Sequence, residues 1–368
     1  MLGWRVTRWV LVWAMMVAAV TLSGRASAEV SGDDLKVYVL TFGPGDHAFF
    51  KFGHDAIWIH NEKAPVTNPL ARDPVYNYGT FAFGDPALIP KFVRGRFMYW
   101  LSKQSIGTTK RIYQAENRSV EAQELNLTSA QKKALFEALE ENAKEENKYY
   151  KYDYYRDNCA TRVRDMIDRA VDGKFKEASQ APASMTWRAH TLRLTQGDVV
   201  LSLALTVVMG SFIDRPLNEW EEMFLPAYVQ TGLRKVKVQG PDGSEMPLVK
   251  AETVLVKSNR PPVPTQAPSW WMWMLLVGLL WGGAIFGTAR VATKNLAARV
   301  GLSVLLFVAG FLCILGVLFL FVWVGTDHEV GYHNENALQL VPWGVTLMGF
   351  AIGVGRLKVK SIYRAKWW

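Results

Sequence analysis

The chain has 368 residues, of which 50% are hydrophobic and 15 are tryptophan, and its formal net charge is +9. This length leaves room for two or three structural units. The basic surplus does not indicate a nucleic-acid partner, because ten lysines and arginines flank apolar segments and the rest of the chain is close to neutral without them. These ten are Arg5, Arg8, Arg290, Lys294, Arg299, Arg356, Lys358, Lys360, Arg364 and Lys366. Their positions therefore predict how the chain is oriented in a membrane. We do not expect nucleic acid as a partner.

The first 28 residues have the pattern of an export signal. Arg5 and Arg8 precede an apolar run at 9–22, and Ala26-Ser27-Ala28 forms a cleavage-site pattern before Glu29. We therefore expect residues 1–28 to be a signal peptide or signal anchor. In either case the chain after Glu29 is exported.

Residues 29–257 carry the patterns of an α+β domain. Strands are predicted at 35–41, 56–60 and 75–83, a helix at 128–147 with a capping box, a helix at 158–171, and a β-hairpin at 233–257 around Pro241-Asp242-Gly243. A proline-rich linker, 258–269, follows the domain.

Three apolar runs, 270–289, 300–326 and 337–355, are long enough to cross a bilayer. With the domain exported, the basic segments 290–299 and 356–368 fall on the inner side, while the loop 327–336, which has no lysine or arginine, falls outside. We therefore expect three transmembrane helices in a bacterial inner membrane, a periplasmic loop at 327–336 and a basic cytoplasmic tail. A further uncharged stretch, 199–213, is too short to span comfortably and is expected to be buried in the domain or to lie in the membrane surface.

Cys159 is the candidate nucleophile. The other cysteine, Cys313, lies in an apolar run, so a disulfide between the two is not expected. Cys159 begins a predicted helix, where backbone N–H groups and nearby Arg156 and Arg162 would stabilise a thiolate. The alternative is an inert cysteine in the core.

A thiol nucleophile needs a base, and His54 is the candidate among His47, His54, His60 and His190. A glycine precedes His54 and a predicted strand follows it, which would fix the position of the ring. Asn77, on the next strand, is the candidate for orienting the imidazole, whereas Asp55 would point to the opposite strand face. No cysteine or carboxylate lies at zinc-like spacing, so we expect no metal and no other cofactor.

Other polar residues are candidates for binding substrate or supporting the site. Within the domain they are Arg162 and Tyr78, and within the 327–336 loop they are His328, His333, Asn334 and Asn336. The loop would lie on the same side of the membrane as Cys159. It could equally be a polar connection between two helices.

The order of a Gly-His pair, two strands and Asn-Cys-x-x-Arg at a helix start resembles the permuted papain-like enzymes related to NlpC/P60. The chain as a whole resembles the Lnb family of lipoprotein N-acyltransferases. The matching segments are Thr41-Phe42-Gly43-Pro44-Gly45, Phe52-Gly53-His54, residues 76–81, residues 152–164, Met223-Phe224-Leu225-Pro226 and the 327–336 loop.

The resemblance implies transfer of an acyl chain from a phospholipid to the α-amine of a diacylglyceryl-cysteine lipoprotein through a thioacyl intermediate on Cys159. Two alternatives remain. A membrane-anchored cysteine amidase or peptidase acting on peptidoglycan would need only the 29–257 domain, and a non-catalytic envelope scaffold would tolerate Cys159→Ser.

Overall fold

A computed structural model describes residues 30–82, 87–95, 97–240 and 243–356. The predicted signal segment and almost all of the predicted cytoplasmic tail lie outside these residues. The N-terminal part is a mixed α+β domain, as predicted, and it is followed by apolar helices.

The centre of the domain is an antiparallel sheet of seven strands in the order β6-β4-β3-β2-β1-β5-β9. Two short strands, β7 and β8, form the predicted hairpin, although its turn residues 241–242 are not described. The strands are β1 Leu35–Phe42, β2 His54–Asn61, β3 Pro74–Thr80, β4 Met98–Ser105, β5 Val120–Leu125, β6 Tyr149–Lys151, β7 Lys237–Gln239, β8 Glu245–Pro247 and β9 Val249–Val256.

Ten helices accompany the sheet in the described part of the domain. They are α1 Pro69–Arg72, α2 Leu88–Val93, α3 Ile106–Ala115, α4 Ser129–Asn142, α5 Cys159–Ala170, α6 Lys174–Glu177, α7 Trp187–Thr195, α8 Val199–Val208, α9 Glu219–Glu222 and α10 Pro226–Leu233. Short 3-10 turns lie at Gly32–Asp34, Ala48–Phe50 and Ser211–Asp214. The predicted capping box of Thr128 and Gln131 starts α4.

The two faces of the sheet are buried in separate clusters. Helix α5 packs on one face, where Val163 and Ile167 meet Ile57 and Ile59 of β2. The opposite face carries a smaller cluster that includes Phe42, Ala56 and Tyr113. Because strand side chains alternate between faces, neighbouring residues of β2 are directed into different clusters.

The segment after β9 lies against the domain. The Arg260 guanidinium donates to both carboxylate oxygens of Asp46, at 2.5 and 2.7 Å, and to the Asn117 carbonyl. Arg193 donates to the Pro264 carbonyl at 3.0 Å. The predicted linker is therefore tethered to the domain at two points.

Two helices are long and apolar enough to cross a bilayer, α11 Trp271–Val291 and α12 Leu296–Gly325. At 1.5 Å per residue they measure roughly 30 and 45 Å. In an apolar stretch of 18 residues within α11, only 6% of the residues are buried by protein. This low burial is expected of side chains that face lipid.

The third predicted span is not one helix. The structure divides it into α13 Asn336–Gln339, a 3-10 turn at Pro342–Val345 and α14 Thr346–Gly355. Pro342 has no backbone N–H and cannot continue the preceding helix, which explains the break. Helix α14 packs on α12, and the Ser303 hydroxyl donates to the Ala351 carbonyl at 2.7 Å. Two of the three predicted spans are therefore helices long and apolar enough to cross a bilayer, and the third, which contains a shorter apolar helix, stays a prediction.

Candidate active site

The start of α5 is fixed by an asparagine that sequence reasoning did not single out. Asn158 and Thr161 form a reciprocal capping box: Asn158 Oδ1 accepts from the Thr161 N–H at 2.9 Å, and Thr161 Oγ1 accepts from the Asn158 N–H at 2.8 Å. The Asn158 amide also donates to the carbonyls of Tyr154 and Phe224, both at 2.9 Å. The asparagine before Cys159 was a visible capping signal. It locks the first helical residue, Cys159, in place.

Cys159 lies where β2 and β3 stop pairing. The paired residues of these strands are Ile57–Tyr76 and Trp58–Val75. Beyond them, the Asp55 backbone N–H donates to the Cys159 sulfur, and a Cβ built on Gly79 would lie 3.5 Å from the Cys159 Cβ. The sulfur is therefore next to the first peptide of the strand that begins with His54.

The thiol is protonated at rest, which differs from the expected thiolate. Burial raises the pKa of Cys159 to about 12, and the nearby Asp55 carboxyl adds to the increase. N–H groups of Asp55, Ala160 and Cys159 lower this pKa but do not compensate for burial.

The two arginines expected to assist Cys159 are paired with other groups. Arg162 donates to both oxygens of Asp157, at 2.5 and 2.7 Å, and its guanidinium lies 3.7 Å from the centre of the Tyr150 ring. Arg156 donates to Glu329 at 2.8 Å.

His54 is held in place from two sides. Its ring stacks on Phe42 with centroids 5.4 Å apart, and the nearby Asn77 side chain favours its protonated form. The Asn77 amide also donates to the Val75 carbonyl at 3.3 Å. Burial lowers the pKa of His54 to about 4, Arg118 contributes to the decrease, and the Asn77 side chain opposes it. The imidazole is therefore neutral at physiological pH and able to accept a proton.

Gly53 positions the start of β2. It has φ of +81°, and a Cβ there would lie 2.8 Å from the Phe42 carbonyl oxygen. A side chain at this position would push β2 away from β1 and displace the adjacent His54.

Asp55 is a buried carboxyl next to the thiol. Its side chain is directed to the face that carries α5, opposite to His54 as expected from strand alternation. Burial raises the pKa of Asp55 to about 8, and the hydroxyl of its cross-strand neighbour Thr41 opposes the increase. Asp55 is therefore mostly protonated at neutral pH.

Tyr78 packs in the core. It is 2% exposed, and its hydroxyl accepts from the Asn142 amide at 2.9 Å. Cys159, His54 and Asn77 thus lie at one end of the sheet, with His54 and Asn77 directed to the face opposite to α5, whereas the Tyr78 hydroxyl contacts Asn142.

The 327–336 loop lies against the domain. Lys151 pairs with Asp327 at 3.0 Å, in addition to the Arg156–Glu329 pair. Asn334 and Asn336 donate to backbone carbonyls at the end of α8, and His333 packs 4.7 Å from the Trp323 ring.

A cavity of about 170 Å³ lies between this loop and the domain, and His328 is one of its lining residues. Stacked rings of Tyr99 and Tyr152 form part of its domain side. Tyr152 also approaches Gly79, where a Cβ would be 3.8 Å from its ring. The cavity therefore shares a wall with the neighbourhood of Cys159.

The remaining domain histidines have other surroundings. His60 bonds Asp73 at 2.7 Å, His190 bonds the buried Glu222 at 2.7 Å, and His47 packs against Phe49. Within the described ranges, no group of three or more His, Cys, Asp or Glu side chains could hold a metal ion.

Residues 24–193 match the family model described as the Lnb N-terminal periplasmic domain. No curated protein and no solved structure matches the chain. The match and the two membrane-capable helices that follow it are the arrangement of a membrane protein with a periplasmic domain. The resemblance to the Lnb-type family is therefore supported over residues 24–193, where the chain is similar to an Lnb N-terminal periplasmic domain.

Proposed function

We propose that this chain N-acylates bacterial lipoproteins, with Cys159 as the nucleophile, His54 as the base and Asn77 as the residue that orients His54. The observation that carries the proposal is the buried thiol at the start of α5, beside the strand whose first residue, His54, bonds Asn77. This arrangement also supports a permuted papain-like organisation, with the histidine strand before the cysteine helix.

The first half-reaction breaks a phospholipid ester. Because the thiol is protonated and the imidazole neutral, His54 accepts the thiol proton as the sulfur attacks the ester carbonyl. The backbone N–H groups of Cys159 and Ala160 at the helix start stabilise the oxyanion. The C–O bond then breaks, the lysophospholipid leaves with the proton returned by His54, and the acyl group remains on Cys159 as a thioester.

The second half-reaction forms the amide. The α-amine of a diacylglyceryl-cysteine attacks the thioester, His54 accepts a proton from the nitrogen, and the C–S bond breaks. The sulfur regains a proton, so the enzyme returns to its starting state. No cofactor is required.

The contacts between loop and domain favour a lipid substrate over peptidoglycan. The loop that follows the apolar helix α12 forms one wall of the cavity near Cys159. A peptidoglycan amidase would not need a cavity wall formed by a loop that follows a membrane helix. A non-catalytic scaffold would have no need of a neutral histidine at the same end of the sheet as a buried thiol.

The test is mass spectrometry of lipoprotein N-termini from cells that depend on this chain for N-acylation. Cys159→Ala and His54→Ala should each abolish the N-acyl group while the protein still reaches the membrane. Cys313→Ala is the matched control, because this second cysteine lies in α12, and it should retain N-acylation. Normal N-acylation by either site variant would disprove the mechanism.

A further inference from the structure

Helix α8 has a stripe of exposed apolar side chains along one face, while Leu205 packs against the domain. Val199, Val200, Leu203, Ala204 and Val208 are exposed, at the spacing of one helical face, and Val200 is 80% exposed. The fully buried residue of this helix is a serine, Ser202. A helix on the surface of a water-soluble domain has the opposite arrangement.

The carbonyls at the C-terminal end of α8 accept hydrogen bonds from the 327–336 loop. The Asn334 amide donates to the carbonyls of Val207 at 2.8 Å and Val208 at 2.9 Å. The Asn336 amide donates to Val207 at 2.9 Å. The loop therefore caps a helix to which it is not adjacent in sequence.

An arginine completes the cap. Arg188, which is held by Asp214, donates to the carbonyls of Thr206 at 3.3 Å, Met209 at 3.0 Å and Gly210 at 2.8 Å. Every carbonyl from residue 206 to residue 210 thus has a protein donor. Water normally satisfies such groups at a helix end, whereas an apolar medium cannot, so a helix end in lipid must have donors from the protein.

The same loop fixes the location of α8. Asn334 follows the last residue of α12, Gly325, by only nine positions, and the Gly210 N–H donates to the Val330 carbonyl at 2.8 Å. The C-terminal end of α8 is therefore held beside the outer end of a 30-residue apolar helix. With ten residues, α8 is about 15 Å long and too short to cross the membrane.

We propose that α8 is inserted into the lipid leaflet that faces the domain, with its exposed stripe in contact with phospholipid acyl chains. The helix and the 327–336 loop form one membrane-docked unit that sets the height of the domain above the bilayer. The same unit places the loop wall of the cavity next to the lipid from which a substrate would come. This inference rests on α8 and its cap and does not require that the chain be an acyltransferase.

Spin labelling of the full chain in phospholipid nanodiscs tests the insertion. A nitroxide is attached to Val200→Cys in a background carrying Cys159→Ser and Cys313→Ser. The matched control is Val66→Cys, since Val66 is 75% exposed and follows the end of β2 that is opposite to His54. Collision rates with oxygen, which dissolves in lipid, and with a water-soluble nickel chelate are then compared.

We expect the ratio of oxygen to nickel collisions to be several-fold higher at position 200 than at position 66. Equal ratios at the two positions would show that α8 is in water and would overturn the proposal. Low collision rates with both reagents, accompanied by spin–spin broadening between labels, would show that a second copy of the chain covers the stripe, which also overturns it. None of these readouts depends on catalysis, so the proposed function can fail or succeed independently.

Discussion

Two polar clusters of this chain contain similar residues and use them differently. At the end of the sheet near Cys159, the Asn77 side chain raises the pKa of the His54 imidazole. In the 327–336 loop, the Asn334 amide bonds two backbone carbonyls of α8. In the proposed mechanism the first asparagine orients a group that moves a proton, whereas the second replaces water at a helix end. A dense group of polar residues in a sequence therefore indicates that partners are needed, but it does not indicate whether those partners are reactive.

Burial adds a second contrast. At the end of the sheet near Cys159, burial lowers the pKa of His54 to about 4 and raises the pKa of Cys159 to about 12. The loop makes its ion pairs at the surface, where Arg156 and Glu329 side chains are about half exposed, 45% and 54%. Exposed pairs of this kind contribute at most about 1 kcal/mol each. The chemistry is therefore expected at the buried cluster.

Among changes at residues that do not react themselves, the largest effect is expected from Asn77→Ala. Without its partner the His54 ring can rotate, and a base that is misplaced by about 1 Å costs roughly 100-fold in rate. The Asn77 bond raises the pKa of His54, so its loss should also move the acidic limb of the pH–rate profile to lower pH. Acyl transfer to a synthetic diacylglyceryl peptide, measured from about pH 2.5 to 9 so that the range includes the acidic limb, provides both readouts.

Asn142→Ala is the control for that comparison, because this asparagine bonds the Tyr78 hydroxyl and not the histidine. The Asn142→Ala variant should have the same pH–rate profile as the wild-type protein. If Asn77→Ala reduced the rate with no more effect on the profile than Asn142→Ala, Asn77 would be only a structural residue.

An intermediate effect is expected from Asn334→Ala. The Val208 carbonyl would lose the donor that Asn334 provides, and Val207 would keep only Asn336. Leaving a buried carbonyl unpaired costs about 1–3 kcal/mol. Thermal unfolding in nanodiscs should show a clearly lower Tm. Asn336→Ala removes one bond to a carbonyl that keeps another donor, so it should lower Tm less, and the reverse order would contradict the capping role.

The smallest effect concerns the pH dependence of stability. The pKa of Asp55 is raised from its usual 3.8 to about 8 in the folded state, so unfolding releases its proton and stability falls as pH rises towards 8. The lowered pKa of His54 has the opposite effect between about 4 and 6.5. Between pH 6.5 and 8 the Asp55 effect is the larger of the two, and stability should fall by about 1 kcal/mol in total.

Asp55→Asn should remove this fall, and it should be measured as Tm at pH 6.5 and pH 8. Asp33→Asn changes an exposed aspartate and should leave the fall unchanged. If Asp55→Asn kept the wild-type difference between the two pH values, the carboxyl would not be the group that titrates.

The sequence by itself determined the local features of this protein. Strand alternation separated His54 from Asp55, the capping pattern of Thr128 and Gln131 started α4, and the asparagine before Cys159 marked the start of α5. These features depend on residues that are close in sequence, so short-range backbone physics is sufficient to predict them.

Only the tertiary structure decided what depends on distant segments. Burial of Cys159 outweighs the helix-start N–H groups, so the expected thiolate is a thiol. The end of α8 is capped by Asn334, which is more than 120 residues away in the chain, and the third apolar run breaks before Pro342. Desolvation and long-range hydrogen bonding are set by which segments pack together, and the pattern of a single segment does not contain that information.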